Sequence, residues 1–173
     1  MKLIKTLLTI LFISLLSSPS WSQTIDDLVQ REGIYYQEFN DVPFTGELTG
    51  QEQGSFKNGE RDGFWIRYYE SGQLFSKGNY KNGKKEGAWV NYWGNGELYS
   101  KGNYKNGEKE GAWVNYWNNG QLRYKGDYEY GKRYGFWEGY NDDATKFRTG
   151  TGGNATVNKE WTGIFKNNIN KGF

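Results

Sequence analysis

Cysteine and histidine are both absent from the 173-residue sequence, and proline occurs only twice. The chain therefore offers no thiolate nucleophile, no imidazole base and no Cys/His metal cage. Disulfides are excluded as well, so stability must come from packing and hydrogen bonds. An excess of one charge is also lacking, with 22 Lys+Arg against 20 Asp+Glu. Loss of an N-terminal segment carrying Lys2 and Lys5 leaves 20 against 20. That balance is not the basic footprint of a nucleic-acid binder. Long apolar runs are missing too: the longest, Thr6–Leu16, falls short of the ~20 residues needed to span a bilayer.

That short run has the organisation of an export signal. Lys2 and Lys5 supply a positive start, Thr6–Leu16 the apolar stretch, and Ser20-Trp21-Ser22 the small residues of a cleavage site. Cleavage is expected after Ser22, giving a periplasmic or secreted protein with no transmembrane segment. With no cysteine after the signal, a lipid-anchored form is excluded.

What the sequence does contain is a strict period. Gly63, Gly87, Gly111 and Gly135 recur every 24 residues, as do Trp65, Trp89, Trp113 and Trp137, and Tyr68, Tyr92, Tyr116 and Tyr140. Gly54, Gly78, Gly102 and Gly126 form another row, and Phe56, Tyr80, Tyr104 and Tyr128 a further one. Self-similarity at a fixed period decides the architecture before any local propensity does.

Each unit reads as two strands. Ala88–Trp93 is rich in aromatic and β-branched residues, and Leu98–Lys105 follows after Asn95-Gly96. Asn82-Gly83 and Asn106-Gly107 close the other end with pairs that accept positive φ. Helix is ruled out by glycine recurring in every window. Ordering one unit costs about 24–48 kcal/mol of backbone entropy. One buried Trp returns only ~4–6 kcal/mol, so the units must stack. The expected fold is all-β: an elongated single-layer antiparallel sheet of stacked 24-residue hairpins, with equivalent residues about 10 Å apart. Mid-strand Gly78, Gly102 and Gly126 are expected to lie beneath a neighbouring ring.

The ends differ from the middle. Residues 23–53 read as an N-terminal cap with a degenerate half-repeat at Phe44-Thr45-Gly46, and a short helix capped by Thr24 is possible there. Residues 54–140 are the tandem repeats, 141–162 an insertion or loop, and 163–173 a partial repeat. Trp89 and Trp113, with a full unit on each side, are expected to be the most buried indoles.

The pattern Gly-x-Tyr-x-x-Gly-x-x-x-Gly-x-Trp-x-x-Tyr with Asn-Gly turns resembles the MORN (membrane occupation and recognition nexus) repeat in its bacterial variant form. The likeness covers Gly54–Tyr140, with weaker halves at Gly33–Gly50 and Gly163–Phe173. The commonest form of the family has glycine where Trp65, Trp89, Trp113 and Trp137 stand. The resemblance implies tandem hairpins in one extended sheet, used mainly for protein–protein contact and sometimes for lipid contact. Some bacterial relatives of this type are described as antitoxin-like.

No catalytic constellation is visible, because every Asp or Glu that could act as acid or base belongs to a repeated surface column. No cofactor is implied, and no metal. Asn141-Asp142-Asp143 lacks the spacing of a Ca²⁺ loop and reads as a turn. The candidate partner surface is the aromatic and amide row Trp65, Trp89, Asn91, Trp93, Trp113, Asn115, Trp117 and Trp137, weighed against a purely structural role covering glycines. Arg61, Lys85, Lys109 and Arg133 share a position read as a solvated loop edge; they and Lys77, Lys101 and Lys125 form columns able to meet anionic lipid. A protein partner is the expected ligand, with lipid or an envelope glycan as alternatives.

Overall fold

A computed structural model of the protein describes residues 23–152. The expected signal, Met1–Ser22, and the expected partial repeat, Gly163–Phe173, lie outside the described residues. A 3₁₀ turn at Ile25–Asp27 precedes β1 (Leu28–Arg31) and β2 (Ile34–Gln37), which pair as a hairpin of their own. Ten strands then form one antiparallel sheet in chain order. They are β3 (Gly46–Leu48), β4 (Glu52–Lys57), β5 (Glu60–Tyr68), β6 (Leu74–Lys81), β7 (Lys84–Tyr92), β8 (Leu98–Lys105), β9 (Glu108–Tyr116), β10 (Leu122–Glu129), β11 (Lys132–Tyr140) and β12 (Lys146–Gly152).

Two kinds of turn alternate, each set by its residues. Asn58-Gly59, Asn82-Gly83 and Asn106-Gly107 place both residues at positive φ, the conformation of a two-residue hairpin turn whose twist matches the strands. The glycine amide of each donates to a carbonyl of the preceding unit: Gly59 to Phe44, Gly83 to Arg61 and Gly107 to Lys85, at 2.7, 3.0 and 2.9 Å. At the opposite sheet edge, Trp93–Glu97 forms a three-residue loop. The Gly96 amide donates to the Trp93 carbonyl at 2.9 Å, the Trp93 amide to the Glu97 carbonyl at 2.8 Å, and Gly96 sits at φ +89°.

Gly87 and Gly111 occupy bulges within β7 and β9, at φ +65° and +64°. Lys77 and Asn79 of β6 pair with Val90 and Glu86 of β7, so the β7 side carries extra residues at this point. The bulge increases local twist and re-aims Trp89.

Three sequence expectations need correction. Residues 146–152 of the expected insertion form β12, paired with β11. Asn141–Thr145 repeats the three-residue loop, with the Asn141 amide on the Thr145 carbonyl and Ala144 at φ +66° in the glycine's place. The possible N-terminal helix is a single 3₁₀ turn that keeps Thr24 at its N-cap, where the Asp27 carboxylate accepts from the Thr24 amide at 2.7 Å and its hydroxyl at 3.0 Å. The chain beyond it becomes β1, because Leu28 is drawn into an end cluster with Phe44, Leu48, Phe56 and Trp65. Lastly, the most buried indoles are Trp113 and Trp137, since β12 supplies Trp137 with a neighbour strand on its far side.

The β1–β2 hairpin and the residues around it close the N-terminal edge. The Tyr35 amide donates to the Gly59 carbonyl at 2.9 Å, the Phe44 amide to the Tyr35 carbonyl at 2.8 Å, and the Thr49 amide to the Gln23 carbonyl at 2.8 Å. Phe44 lies over Gly46, whose Cβ would sit 2.7 Å from the ring. The degenerate half-unit thus reproduces the ring-over-glycine arrangement of the full repeats.

Candidate functional site

Strand alternation gives the sheet two faces of different character. On the first, Trp65, Trp89, Trp113 and Trp137 each reach back across the preceding strand. A Cβ at Gly78, Gly102 or Gly126 would lie 2.3 Å from the overlying indole. Trp89, Trp113 and Trp137 Nε1 donate to the carbonyls of Asn79, Asn103 and Asp127 at 3.0, 3.0 and 3.1 Å. Tyrosines stand between them edge-on: Tyr80–Trp89 centroids are 5.1 Å apart, Trp89–Tyr104 6.0 Å and Tyr104–Trp113 5.2 Å. The result is one continuous ladder of rings, with each contact adding ~0.5–1.5 kcal/mol beyond area burial.

Above this ladder sit the cations. Lys85, Lys109 and Arg133 lie 4.2 Å from the centroids of Trp89, Trp113 and Trp137, and Arg61 lies 4.8 Å from Trp65. The expected solvated loop edge is thereby corrected: these residues belong to β5, β7, β9 and β11 and cap the indoles. Burial pushes the Lys85 ammonium below its usual pKa, and the like charges of Lys109, Arg67 and Arg61 act in the same direction. Burial raises the Tyr80 and Tyr104 phenols. At the N-terminal end Glu52 accepts from Arg61 at 2.9 Å and Arg67 at 3.1 Å. A groove of about 300 Å³ runs past Glu52, Arg61, Arg67, Tyr80, Lys85 and Asn91.

The expected partner row divides on this geometry. Trp65, Trp89, Trp113 and Trp137 are at most 4% exposed, and Asn115 is 2% exposed. The indoles are closed to a partner by the glycine beneath and the cation above each, and Asn115 by its burial. Asn91, Trp93 and Trp117 are half-buried and tied into the sheet. Asn91 Nδ2 donates to Ser100 Oγ at 2.9 Å. Trp93 packs on Tyr99 at 4.4 Å and donates to the Tyr116 carbonyl at 3.2 Å, one unit onward. Trp117 does the same to Tyr140 at 3.0 Å, with Arg123 at 4.1 Å over its ring. Among the described residues Asn115 Nδ2 has no hydrogen-bond partner. On its β10 side Asn115 faces Tyr124, 24 residues after Ser100, so the serine hydroxyl that Asn91 uses is missing on that side. Such a buried orphan costs ~1–3 kcal/mol.

The second face is open. Register places Lys77, Lys101 and Lys125 against Ile66, Val90 and Val114, while Phe64, Ala88, Ala112 and Phe136 form a neighbouring row. Phe64 is 52% exposed and Phe136 54%. Lys125 and Lys146 both hold the Glu138 carboxylate, at 2.8 Å each. These two donors lower its pKa from 4.5 to about 2. Asn141–Thr145 is the turn its composition suggested, with the Thr145 amide on Asp143 Oδ1 at 2.8 Å. Among the described residues no three Asp or Glu converge as metal ligands, and no helix is long and apolar enough to cross a membrane.

Sequence reasoning missed this open face as a surface distinct from the indole row. The available signal was parity: Phe64 and Phe136 sit one residue before their Trp and so point the other way.

No curated protein matches the chain. A solved structure described as the crystal structure of the GtfA/B complex bound to UDP and GlcNAc is similar over 90% of this chain, at 11% identity and a TM-score of 0.25. This chain spans 28% of that one, and so weak a likeness assigns neither fold nor activity. The family model of the MORN repeat variant matches residues 61–82, 85–106 and 109–130. Each matched segment begins at a capping cation, Arg61, Lys85 or Lys109, and runs through one indole to the next two-residue turn. Residues 61–130 of this chain are three consecutive MORN repeats of the variant type.

Proposed function

We propose that this chain is an exported, non-enzymatic interaction module that offers its open sheet face to a protein partner. The observation that carries this reading is the unequal use of the two faces. The indole face is filled by its own rings, cations and hydrogen bonds, whereas the opposite face leaves Phe64 and Phe136 more than half exposed. Exposed aromatics on a rigid sheet are the usual anchors of protein contact. Export is supported by the organisation of Met1–Ser22. Envelope fractionation is expected to yield a chain beginning at Gln23, and an intact Met1 in the soluble cell interior defeats export.

Photo-crosslinking residues at Ala88 and Ala112 of the full chain, expressed in its own cells, test the contact. A discrete protein adduct from both sites, absent when the probe replaces Asn95 on the turn edge, is expected. Adducts from Asn95 alone, or none, refute the reading. An antitoxin-like role would appear as one adduct to a single partner.

A membrane-surface role is favoured by one feature, the Lys77, Lys101 and Lys125 row beside Val90 and Val114. Contact of that kind weakens as salt rises. Glycan stacking has less support, because both sides of each of the four buried indoles are already covered.

A further inference from the structure

The open face is not uniform along the sheet. In the β6–β7 hairpin, five outward positions are Asn79, Lys81, Asn82, Glu86 and Ala88; in β8–β9 they are Asn103, Lys105, Asn106, Glu110 and Ala112. In β10–β11 all five change together, to Asp127, Glu129, Tyr130, Tyr134 and Phe136. Two become carboxylates and three become aromatic, while the indole, its glycine and its capping cation are kept. The rings are open to solvent: Tyr130 is 72% exposed, Tyr134 53% and Phe136 54%.

Tyr130 opposes local stability. It holds φ +49° in the turn position where Asn58, Asn82 and Asn106 hold +51°, +49° and +54°. Asparagine tolerates this region, whereas a bulky side chain there costs roughly 1–2 kcal/mol. Strain kept where the chain itself uses a better residue three times is an indication of a task other than folding. Asp127 pairs in register with Tyr134, and Glu129 with Lys132 across the turn. Neither carboxylate takes part in an ion pair or side-chain hydrogen bond among the described residues.

Ring faces with negative quadrupoles beside two unengaged carboxylates attract cations. A purely apolar partner would have to desolvate both carboxylates without recompense, and an anionic surface would be repelled. We infer that the open face of β10–β11 binds a basic, arginine- or lysine-bearing segment of the partner protein, through Asp127, Glu129, Tyr130, Tyr134 and Phe136. This inference rests on the interaction-module reading and narrows it to one hairpin and one partner chemistry.

The test grafts the β8–β9 residues onto β10–β11: Asp127→Asn, Glu129→Lys, Tyr130→Asn, Tyr134→Glu and Phe136→Ala. The graft is expected to fold, because the β8–β9 hairpin already carries those residues. A fluorescent arginine-glycine octapeptide and a glutamate-glycine octapeptide are titrated against the full chain and the graft. Expected are binding of the basic peptide alone by the full chain, a loss of about tenfold or more in the graft, and a higher Tm for the graft. A second variant, Tyr130→Asn with Phe136→Ala, keeps both carboxylates. It is expected to lose affinity in part and to leave a remainder that salt removes. Equal binding by full chain and graft, or preference for the acidic peptide, overturns the inference. A graft that keeps the Ala88 and Ala112 adducts unchanged also overturns it and leaves the module reading standing, whereas absence of those adducts in the unaltered chain defeats the module reading itself.

Discussion

Replacing Gly102 by alanine isolates the contact on which the sheet depends. The added Cβ would lie 2.3 Å from Trp113 Cδ2, 2.4 Å from Cε2 and 2.6 Å from Cγ. Carbon atoms rest at about 3.5–4.0 Å, so the indole must lift by roughly 1 Å or more. It is 1% exposed and held between Tyr104 and Tyr128, at 5.2 and 6.0 Å, with Lys109 above. Lifting it stretches the Nε1 bond to the Asn103 carbonyl, now 3.0 Å. Overpacking costs ~1–3 kcal/mol and the bond ~1 kcal/mol, against a gain of ~0.4–1 kcal/mol from a stiffer unfolded chain. The net loss is about 2 kcal/mol. Two other glycines calibrate it: Gly94→Ala meets nothing within 4 Å and requires no positive φ, whereas Gly111→Ala also has open space but sits at φ +64°. The first should gain ~0.4–1 kcal/mol and the second should lose ~1–2 kcal/mol. Urea unfolding followed by tryptophan fluorescence and by far-UV circular dichroism reads all three. A neutral Gly102→Ala, or a Gly94→Ala as harmful as Gly102→Ala, would refute the ring-over-glycine account.

Trp89→Ala removes a 3% exposed indole and should cost ~3–5 kcal/mol in the same assay. Ala144→Gly relieves the φ +66° alanine in the Asn141–Thr145 loop and should stabilise by ~0.5–1 kcal/mol, read as a rise in urea midpoint. The Glu138 pKa is lowered from 4.5 to about 2, so its contribution is present above pH 4.5 and is lost as pH falls towards 2. The difference in urea midpoint between the native chain and Glu138→Gln should therefore shrink over that window. A difference constant from pH 6 to 2 would show that Lys125 and Lys146 do not favour the charged form.

Much of this architecture is legible in residue spacing. The 24-residue interval puts each indole over a glycine, and Asn-Gly pairs set the two-residue turns, because both are local consequences of side-chain size and φ. What escaped was governed by substitutions at those same marks. Ala144 occupies the loop position of Gly96 and Gly120, so the turn signal is lost and β12 passes for an insertion, although Gly150 falls 24 residues after Gly126. The capping cations escaped because Gly87 and Gly111 read as strand ends, whereas both lie at bulges inside longer strands. Lys85 and Trp89 then share one strand and one face, four residues apart. Trp93 and Trp117 could not be placed from alternation alone, since a register shift beside Tyr92 re-aims the chain just before Trp93.

The amide bonds at the two-residue turns carry a consequence for how the protein ages. An asparagine followed by glycine is the usual weak point for loss of ammonia, because the small glycine lets its own backbone nitrogen attack the asparagine side chain. In Asn82-Gly83 and Asn106-Gly107 that nitrogen is already donating to the Arg61 and Lys85 carbonyls of the preceding unit. At the other edge Gly96 and Gly120 donate to Trp93 and Trp117 at 2.9 and 3.0 Å. Asn95 and Asn119 are held further, with Nδ2 on the Asn118 and Asp142 carbonyls at 2.7 Å. At the two-residue turns each unit thus occupies the nucleophile that would degrade its neighbour, and the protection there lasts only while the neighbouring strand stays paired. Chemical damage should therefore track local opening, with Asn82 and Asn106, whose side chains make no such bond among the described residues, converting to aspartate before Asn95 and Asn119 in peptide maps of stored protein.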